Sequence, residues 1–222
     1  MTPADILSHV DHTLLKPEAT AADIEALCGE ALRCSVASVC VNPRFVPLCA
    51  GLLGGRIPVC TVIGFPLGAS SAAVKVFEAR EAISSGADEV DLVIPIGALR
   101  SGALGEVSRE LFAVREASAG KVLKVIVETC LLNEEQKRTV CRLVAESGAD
   151  YIKTSTGFST GGATAEDISL FAREIACHLY PLKIKASGGI RTRADMERFL
   201  ALGADRLGCS AAVSLLGPLL DR

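Results

Sequence analysis

The tripeptide Gly-Ala-Asp occurs three times, at residues 86–88, 148–150 and 203–205. Each copy ends a helix-like stretch and opens a short apolar one: Glu89-Val90-Asp91, Tyr151-Ile152-Lys153 and Arg206-Leu207-Gly208. A turn repeated at the same point of a repeated unit fixes register, so Asp91, Lys153 and Gly208 stand at equivalent positions. Apolar or β-branched runs recur through the chain and give eight strand candidates, near 9–13, 37–41, 59–63, 90–94, 123–127, 151–154, 182–185 and 206–209. Helix starts lie between them, at Thr20 with Asp23, Asn133 with Glu134 and Glu135, Thr164 with Glu166 and Asp167, and Thr192 with Asp195. Each sets an oxygen cap before carboxylates in the first turn, which favours the helix dipole. Thr2-Pro3 marks a short extra helix before the first strand.

Eight strands that alternate with helices and are apolar on both faces point to parallel pairing. The expected fold is an α/β (β/α)8 TIM barrel, one domain over residues 1–222 with a short N-terminal extra helix. Gly51-Leu52-Leu53-Gly54-Gly55 and Ser101-Gly102 read as loops, not as domain boundaries. In such a barrel the chemistry sits at the strand C-termini. Strands four, six and eight alternate around the ring, so their equivalent residues share one inward layer, which brings Asp91 toward Lys153.

Composition excludes several classes of function. A net charge of -3, 4% aromatic residues and no Trp leave neither a basic tract nor a stacking platform for nucleic acid. Half of the 222 residues are apolar, yet charges interrupt every candidate membrane span. The start, Met1-Thr2-Pro3-Ala4-Asp5, has neither the basic nor the apolar region of a secretory leader, so a cytoplasmic enzyme is expected. Nine cysteines, an odd number within helix and strand patterns, read as reduced and mostly buried thiols. No Cys-x-x-Cys or His-x-x-x-His pair occurs and only three histidines are present, so no metal site is expected.

The strand ends carry the chemistry. Lys153 and Lys185 each close a buried-strand run, an expensive place for an ammonium. A free lysine has a pKa near 10.4, so at pH 7 only about one amine in a few thousand is a neutral nucleophile. A second ammonium about 5 Å away, at an effective dielectric of about 20, disfavours the charged form by about 3 kcal/mol, or about two pKa units. Two lysines on neighbouring strand ends therefore suit Schiff-base formation on a carbonyl, and Asp91 can shuttle the proton that follows. The competing reading is a salt-bridged Asp/Lys cluster that only stabilises the barrel. Small-residue segments follow strands six, seven and eight: Thr154-Ser155-Thr156-Gly157, Ala186-Ser187-Gly188-Gly189 and Gly208-Cys209-Ser210-Ala211. Their backbone N–H groups, with the helix start after Ser210, form a candidate phosphate site.

Several stretches resemble the deoxyribose-phosphate aldolases: Asp11-His12-Thr13-Leu14-Leu15-Lys16-Pro17, Cys40-Val41-Asn42-Pro43, Gly64-Phe65-Pro66-Leu67-Gly68, Ala87-Asp88-Glu89-Val90-Asp91, Lys124-Val125-Ile126-Val127-Glu128-Thr129, Tyr151 to Phe158 through Lys-Thr-Ser-Thr-Gly, and Lys185-Ala186-Ser187-Gly188-Gly189-Ile190-Arg191. They cover nearly the whole chain in order. The resemblance implies reversible cleavage of 2-deoxy-D-ribose 5-phosphate to D-glyceraldehyde 3-phosphate and acetaldehyde without metal or organic cofactor, and a place in deoxyribonucleotide and carbohydrate breakdown. It implies that Lys153 is the Schiff-base lysine, Lys185 the neighbouring proton-relay lysine and Asp91 the proton donor and acceptor. Thr156, Gly157, Gly188, Gly189, Gly208 and Ser210 match the phosphate cup. Asp11 and Cys40 match pocket-lining positions, while a buried cap and a core thiol are equal readings of them.

Two departures bear on the site. Many members carry paired serines in the last phosphate loop, whereas Ala211 follows Ser210 here, so a hydroxyl contact is lost and weaker phosphate binding is expected. Some members end in a tail with a terminal tyrosine; this chain stops at Leu220-Asp221-Arg222 and its only tyrosines are Tyr151 and Tyr180, so a proton carried by that tail would pass through water instead. Lys124 and Glu128 share a strand face about 13 Å apart, so each needs another partner, and both read as parts of a buried ion-pair network. Lys16 reads as a solvated loop residue. Other Schiff-base barrels, such as a transaldolase, and a non-catalytic phosphosugar-binding barrel remain the alternatives. The partners expected are small phosphosugars and aldehydes, with a homo-oligomer possible.

Overall fold

A computed structural model describes residues 1–220; the C-terminal Asp221 and Arg222 lie outside the described residues, and with them part of the tail discussed above. The chain runs α1 (Pro3–Leu7), β1 (Val10–Leu14), α2 (Ala21–Cys34), β2 (Ser38–Val41), α3 (Val46–Leu53), β3 (Val59–Ile63) and α4 (Ala72–Ser84). It continues through β4 (Glu89–Val93), α5 (Ile96–Arg100), α6 (Leu104–Ala117), β5 (Val122–Ile126), α7 (Glu134–Glu146) and β6 (Tyr151–Lys153). The last elements are α8 (Ala165–His178), β7 (Lys183–Ser187), α9 (Arg193–Ala201), β8 (Arg206–Cys209) and α10 (Ala212–Leu216). The eight strands pair in sequence order, all parallel, and β8 returns to β1 to close the barrel.

The repeated tripeptide has a specific structural task. The Asp88, Asp150 and Asp205 carboxylates accept from the backbone N–H of Val59, Leu123 and Ile184, at 3.1, 2.8 and 2.9 Å. Each aspartate also donates its own N–H to the carbonyl of that same residue, at 2.8, 2.9 and 2.8 Å. One short side chain thus pins the start of β4, β6 or β8 to the preceding strand. The glycines before them, Gly86, Gly148 and Gly203, have φ of 107°, 76° and 106°, the left-handed turn out of a helix that only glycine adopts readily. Because the pin is the same three times, the residues after it enter the barrel at the same height.

The expected caps form. Thr2, Thr20, Asn133 and Thr192 make reciprocal capping boxes, and Thr164 accepts from the Asp167 N–H. Outward-facing Val90, Leu92, Val125, Ile152 and Leu207 pack against the helices in one continuous apolar layer with Leu111, Val140 and Phe171. Full burial of each such side chain stabilises the fold by about 1.5–3 kcal/mol. Inside the barrel the apolar content is small: Leu15, Cys40, Cys60 and Val62, with Phe65 against them. The rest of the interior is largely polar, with a cluster of seven charged side chains among Ile126, Tyr151, Ser38 and Ser187.

Three expectations are corrected. Gly51-Leu52-Leu53 belongs to α3 and not to a loop, since Val46, Cys49 and Leu53 bury one side of that helix. Asp91 is the third of five residues in β4, and Lys185 the third of five in β7, so neither is at a strand end. The strand continues past Lys185 because Ala186 and Ser187 stay in register with Leu207 and Gly208. Lys153 alone of the three ends its strand. Seven of the nine cysteines are buried; Cys130 and Cys177 are exposed.

Candidate active site

Strand register brings the charged residues together. Lys153 lies directly opposite Lys185, and Asp91 directly opposite Lys124. Side chains of paired residues in a parallel ladder point to the same face, here the barrel interior. Lys153 Nζ and Lys185 Nζ both donate to Asp91 Oδ2, each at 2.7 Å. The two nitrogens therefore lie no farther apart than twice that distance, as the sequence argument required. Lys185 also donates to Asp11. Lys124 Nζ lies 2.9 Å from Asp91 Oδ1, 2.5 Å from Glu89 Oε2 and 3.5 Å from Asp11 Oδ2. Beneath them Arg206 bridges Asp11 and Glu89, 2.6 Å from the latter.

The cluster holds four cations, Lys124, Lys153, Lys185 and Arg206, against three carboxylates, Asp11, Glu89 and Asp91. Burial pushes the Asp91 carboxyl up, but Lys124, Lys153 and Lys185 outweigh it and hold the group well below the usual carboxylate range. Burial likewise pushes Lys185 down, and Asp11 and Asp91 reverse this, so its ammonium persists above the ordinary lysine range. Lys124 follows the same pattern, with Asp91 the strongest of its partners. Repulsion between the lysines is thus largely offset by the carboxylates between them. What remains is one positive charge in excess.

Lys153 differs from the others in its exposure to the site. It lines a cavity of about 230 Å³ at the C-terminal mouth of the barrel, which neither Lys185, Lys124, Asp91 nor Asp11 borders. Lys153 also has a single carboxylate partner, where Lys185 has two and Lys124 three. Around the same cavity lie Thr156, Gly157, Gly188, Gly189, Gly208 and Ser210, so the three small-residue loops do converge. Asp11 and Cys40 are fully buried below it: Asp11 under Lys185, Cys40 paired in register with Cys60. Lys16 is exposed and also forms part of the cavity rim.

Gly208 shows how tightly the floor is built. A Cβ there would stand 2.8 Å from Ser187 Cβ and 3.2 Å from Lys185 Cε, so the missing side chain is the space that Lys185 occupies. Cys60 donates its thiol to Asp91 Oδ1 at 3.1 Å, and burial, its Cys40 neighbour and the Asp91 charge push that thiol well up. Cys40, Cys60 and Asp91, or Asp11, Cys60 and Glu89, could each present three ligand atoms to a metal ion. The carboxylates of both sets are already ion-paired to lysine or arginine.

Comparison with known proteins identifies the family. Residues 6–212 match the family model of the DeoC/LacD family aldolases. The chain belongs to this family. A deoxyribose-phosphate aldolase of Carboxydothermus hydrogenoformans is 52% identical over 221 residues, covering 97% of this chain and 96% of that one. One of Streptococcus gordonii is 51% identical over 209 residues, covering 94% of each. A solved deoxyribose phosphate aldolase of Aeropyrum pernix, described as having a unique tetrameric structure, superposes with a TM-score of 0.89 at 33% identity over 98% of this chain and 92% of that one.

Within this DeoC/LacD aldolase, sequence reasoning did not single out Glu89, Cys60 or Arg206. A signal for two of them was present: Glu89 and Arg206 directly follow the repeated tripeptide, as Tyr151 does. These three equivalent residues form the layer below Asp91 and Lys153, with the Arg206 guanidinium 5.9 Å from the Tyr151 ring centroid. Lys124 joins the ion-pair network as expected, but Glu128 does not. Its carboxylate takes the N–H and hydroxyl of Thr156. At the rim Phe158 meets Phe65 edge to face, centroids 5.3 Å apart. No helix among the described residues is long and apolar enough to cross a membrane.

Proposed function

We propose that residues 1–222 act as one class I aldolase unit that reversibly cleaves 2-deoxy-D-ribose 5-phosphate to D-glyceraldehyde 3-phosphate and acetaldehyde. The observation that carries this reading is that Lys153 is the one amine of the buried cluster open to the cavity. Its amine attacks C1 of the open-chain sugar, and loss of water leaves an iminium. Removal of the proton from the C3 hydroxyl breaks the C2–C3 bond and sends its electron pair into the iminium. D-glyceraldehyde 3-phosphate departs and an enamine remains. Protonation at C2, then water addition, releases acetaldehyde and restores the amine.

Attack requires Lys153 to shed a proton, and Asp91 Oδ2 accepts its hydrogen bond at 2.7 Å. Lys153 has only this one carboxylate partner, against two for Lys185 and three for Lys124. Asp91, bonded to both amines, is the proton donor and acceptor of this reading, and Lys185, held as an ammonium by Asp11 and Asp91, is the relay behind it. Thr156, Gly157, Gly188, Gly189, Gly208 and Ser210 form the phosphate cup in this reading, and Lys16 adds a positive charge at the rim. We assign Asp11 the role of holding Lys185 charged, and Cys40 that of closing the barrel wall beside the cluster.

The same substrate implies a cytoplasmic place in deoxyribonucleotide and carbohydrate breakdown, with no nucleic-acid partner. Association of copies is supported by the Aeropyrum pernix relative and by exposed Val74 and Phe77 on α4 and Phe112 on α6. The test of the chemistry is covalent. Acetaldehyde with borohydride should add a two-carbon unit to the peptide containing Lys153. Label on Lys185 alone would reverse the assignment, and no label would favour a phosphosugar-binding barrel without catalysis.

A further inference from the structure

Among the described residues Glu128 has no counter-cation. It follows β5, is 2% exposed, and makes no ion pair among the described residues, while Lys124 on the same strand turns to Asp91. A buried carboxylate without a cation is unfavourable unless hydrogen bonds replace the lost water. Its backbone is also unusual, at φ 54° and ψ 66° in the left-handed region that a residue with a side chain rarely adopts. Such a conformation persists where the surroundings enforce it, and it is frequent at functional sites.

The enforcing contacts lead to the reactive lysine. On one side of Glu128 the Val127 N–H donates to the Lys153 carbonyl at 3.0 Å, and on the other the Thr129 N–H donates to the Thr154 carbonyl at 2.9 Å. The Glu128 side chain then reaches the next turn of that segment. The Thr156 N–H lies 3.3 Å from both carboxylate oxygens, and the Thr156 hydroxyl donates to Oε2 at 2.5 Å. The same hydroxyl oxygen accepts from the Phe158 N–H at 3.1 Å. Both donors of Thr156 are therefore committed to Glu128.

The second loop rests on the first. Thr154 Oγ1 donates to the Ser187 carbonyl, and Ser187 Oγ donates to the Ser155 carbonyl. Gly188, at φ 80°, lies so close to this segment that a Cβ would come within 3.5 Å of Gly157 Cα and 3.4 Å of Ser155 Cβ. The two segments are thus joined by hydrogen bonds on either side of Ser187.

We propose that Glu128 is a positioning residue of the phosphate cup: its carboxylate fixes Thr156, and through it the first two phosphate loops, relative to Lys153. The inference rests on the aldolase reading of the site and extends it. Glu128 touches no reacting atom. It sets how much of the recognition of the phosphate reaches the chemistry, and so the preference for phosphorylated over unphosphorylated sugar.

The experiment compares kcat/KM for 2-deoxyribose 5-phosphate and for 2-deoxyribose in wild type, Glu128→Ala, Glu128→Gln and Thr156→Val, with borohydride trapping of acetaldehyde on each. Glu128→Ala should lower the ratio of the two kcat/KM values at least tenfold, chiefly through KM for the phosphorylated sugar, while trapping on Lys153 persists. Glu128→Gln, which keeps an acceptor oxygen, should recover most of the ratio. The double variant with Thr156→Val should be no worse than Glu128→Ala alone, because both remove one interaction. An unchanged ratio, or equal losses on both sugars, would overturn the proposal. If Glu128→Ala does not fold, Thr156→Val decides: it should lower the ratio severalfold, and wild-type selectivity in it would be fatal. Failure of the aldolase reading would be seen separately, as absence of trapping and cleavage in the wild type.

Discussion

Lys185 and Lys75 are both fully buried amines, yet their pKa values move in opposite directions. Lys185, in the barrel centre, is held charged above the ordinary lysine range by Asp11 and Asp91. Lys75, on α4, is shifted down by burial despite its 2.6 Å contact with Glu110, and burial shifts Glu110 up. The difference lies in the number of opposite charges. Lys75 contacts one carboxylate and the carbonyls of Gly68 and Val93, at 2.9 and 3.0 Å, with Glu78 and Glu106 acting on it only from farther off, whereas each member of the central cluster belongs to a group of seven interacting charges. A lone buried pair does not offset its own desolvation; a network does, and it can hold reactive groups ionised in a dry site. The peripheral pair instead ties the Gly64–Gly68 loop to β4.

Substitutions should separate the two regions most sharply by what they damage. Lys185→Leu removes one cation from a cluster in which Asp91 retains Lys124 and Lys153, so folding should survive. Turnover should fall by about two to four orders of magnitude, since a positioned proton donor supplies that much. A variant near the wild-type rate with an intact fold would refute the role given to the central ammonium. Lys75→Met should do the reverse: near-normal kcat per folded molecule, and a loss of about 3–5 kcal/mol in urea unfolding, because Glu110 is left buried and alone. Adding Glu110→Leu should restore most of that loss. If the double variant is as unstable as the single, the lone pair stabilises more than its desolvation and the contrast fails.

The pH dependence of stability sharpens the contrast further, because the two regions have opposite signs. Asp91 and Asp11 have folded values below their ordinary 3.8, so the stability they add is complete above 3.8 and is lost as pH falls through the folded values. Lys185 and Lys124 lie above 10.5, so theirs is complete below 10.5 and is lost only as pH rises beyond it. Glu110 is raised above 4.5 and Lys75 lowered below 10.5, so this pair weakens the fold at neutral pH and the penalty eases toward either extreme. Urea midpoints at pH 3, 7 and 10 should show Asp11→Asn flattening the acid limb. The Lys75→Met/Glu110→Leu double variant should leave that limb as steep as in wild type.

The centre was legible in the sequence for a reason that the periphery lacked. Gly-Ala-Asp pins three strands identically, so counting from it gives height in the barrel, and Asp91, Lys153 and Gly208 were placed correctly by that count. The same count one step lower, at Glu89, Tyr151 and Arg206, defines the supporting layer. Lys75 and Glu110 lie 35 residues apart on two helices with no shared motif, and nothing in their neighbours marks them as partners. Glu128 escaped for another reason. Strand alternation puts it on the face of Lys124, but the left-handed turn at that residue breaks the alternation and sends the side chain to Thr156. Backbone inversions at residues other than glycine leave no pattern of residue types to read.

The smallest expected effect completes the series. Arg142 and Glu146 on α7 form an i,i+4 pair at 3.0 Å with both side chains 47% exposed. Water screens each charge whether or not the partner is present, and holding two long side chains together opposes the gain in entropy terms. Arg142→Ala should therefore change unfolding free energy by less than about 0.5 kcal/mol, with neither turnover nor the acid limb affected. Partner number decides the outcome only where water is absent, and this pair tests that condition. A loss above about 1 kcal/mol would mean that a single partner suffices even at the surface, and the account of why Lys75 and Lys185 differ would need a cause other than the number of charges around them.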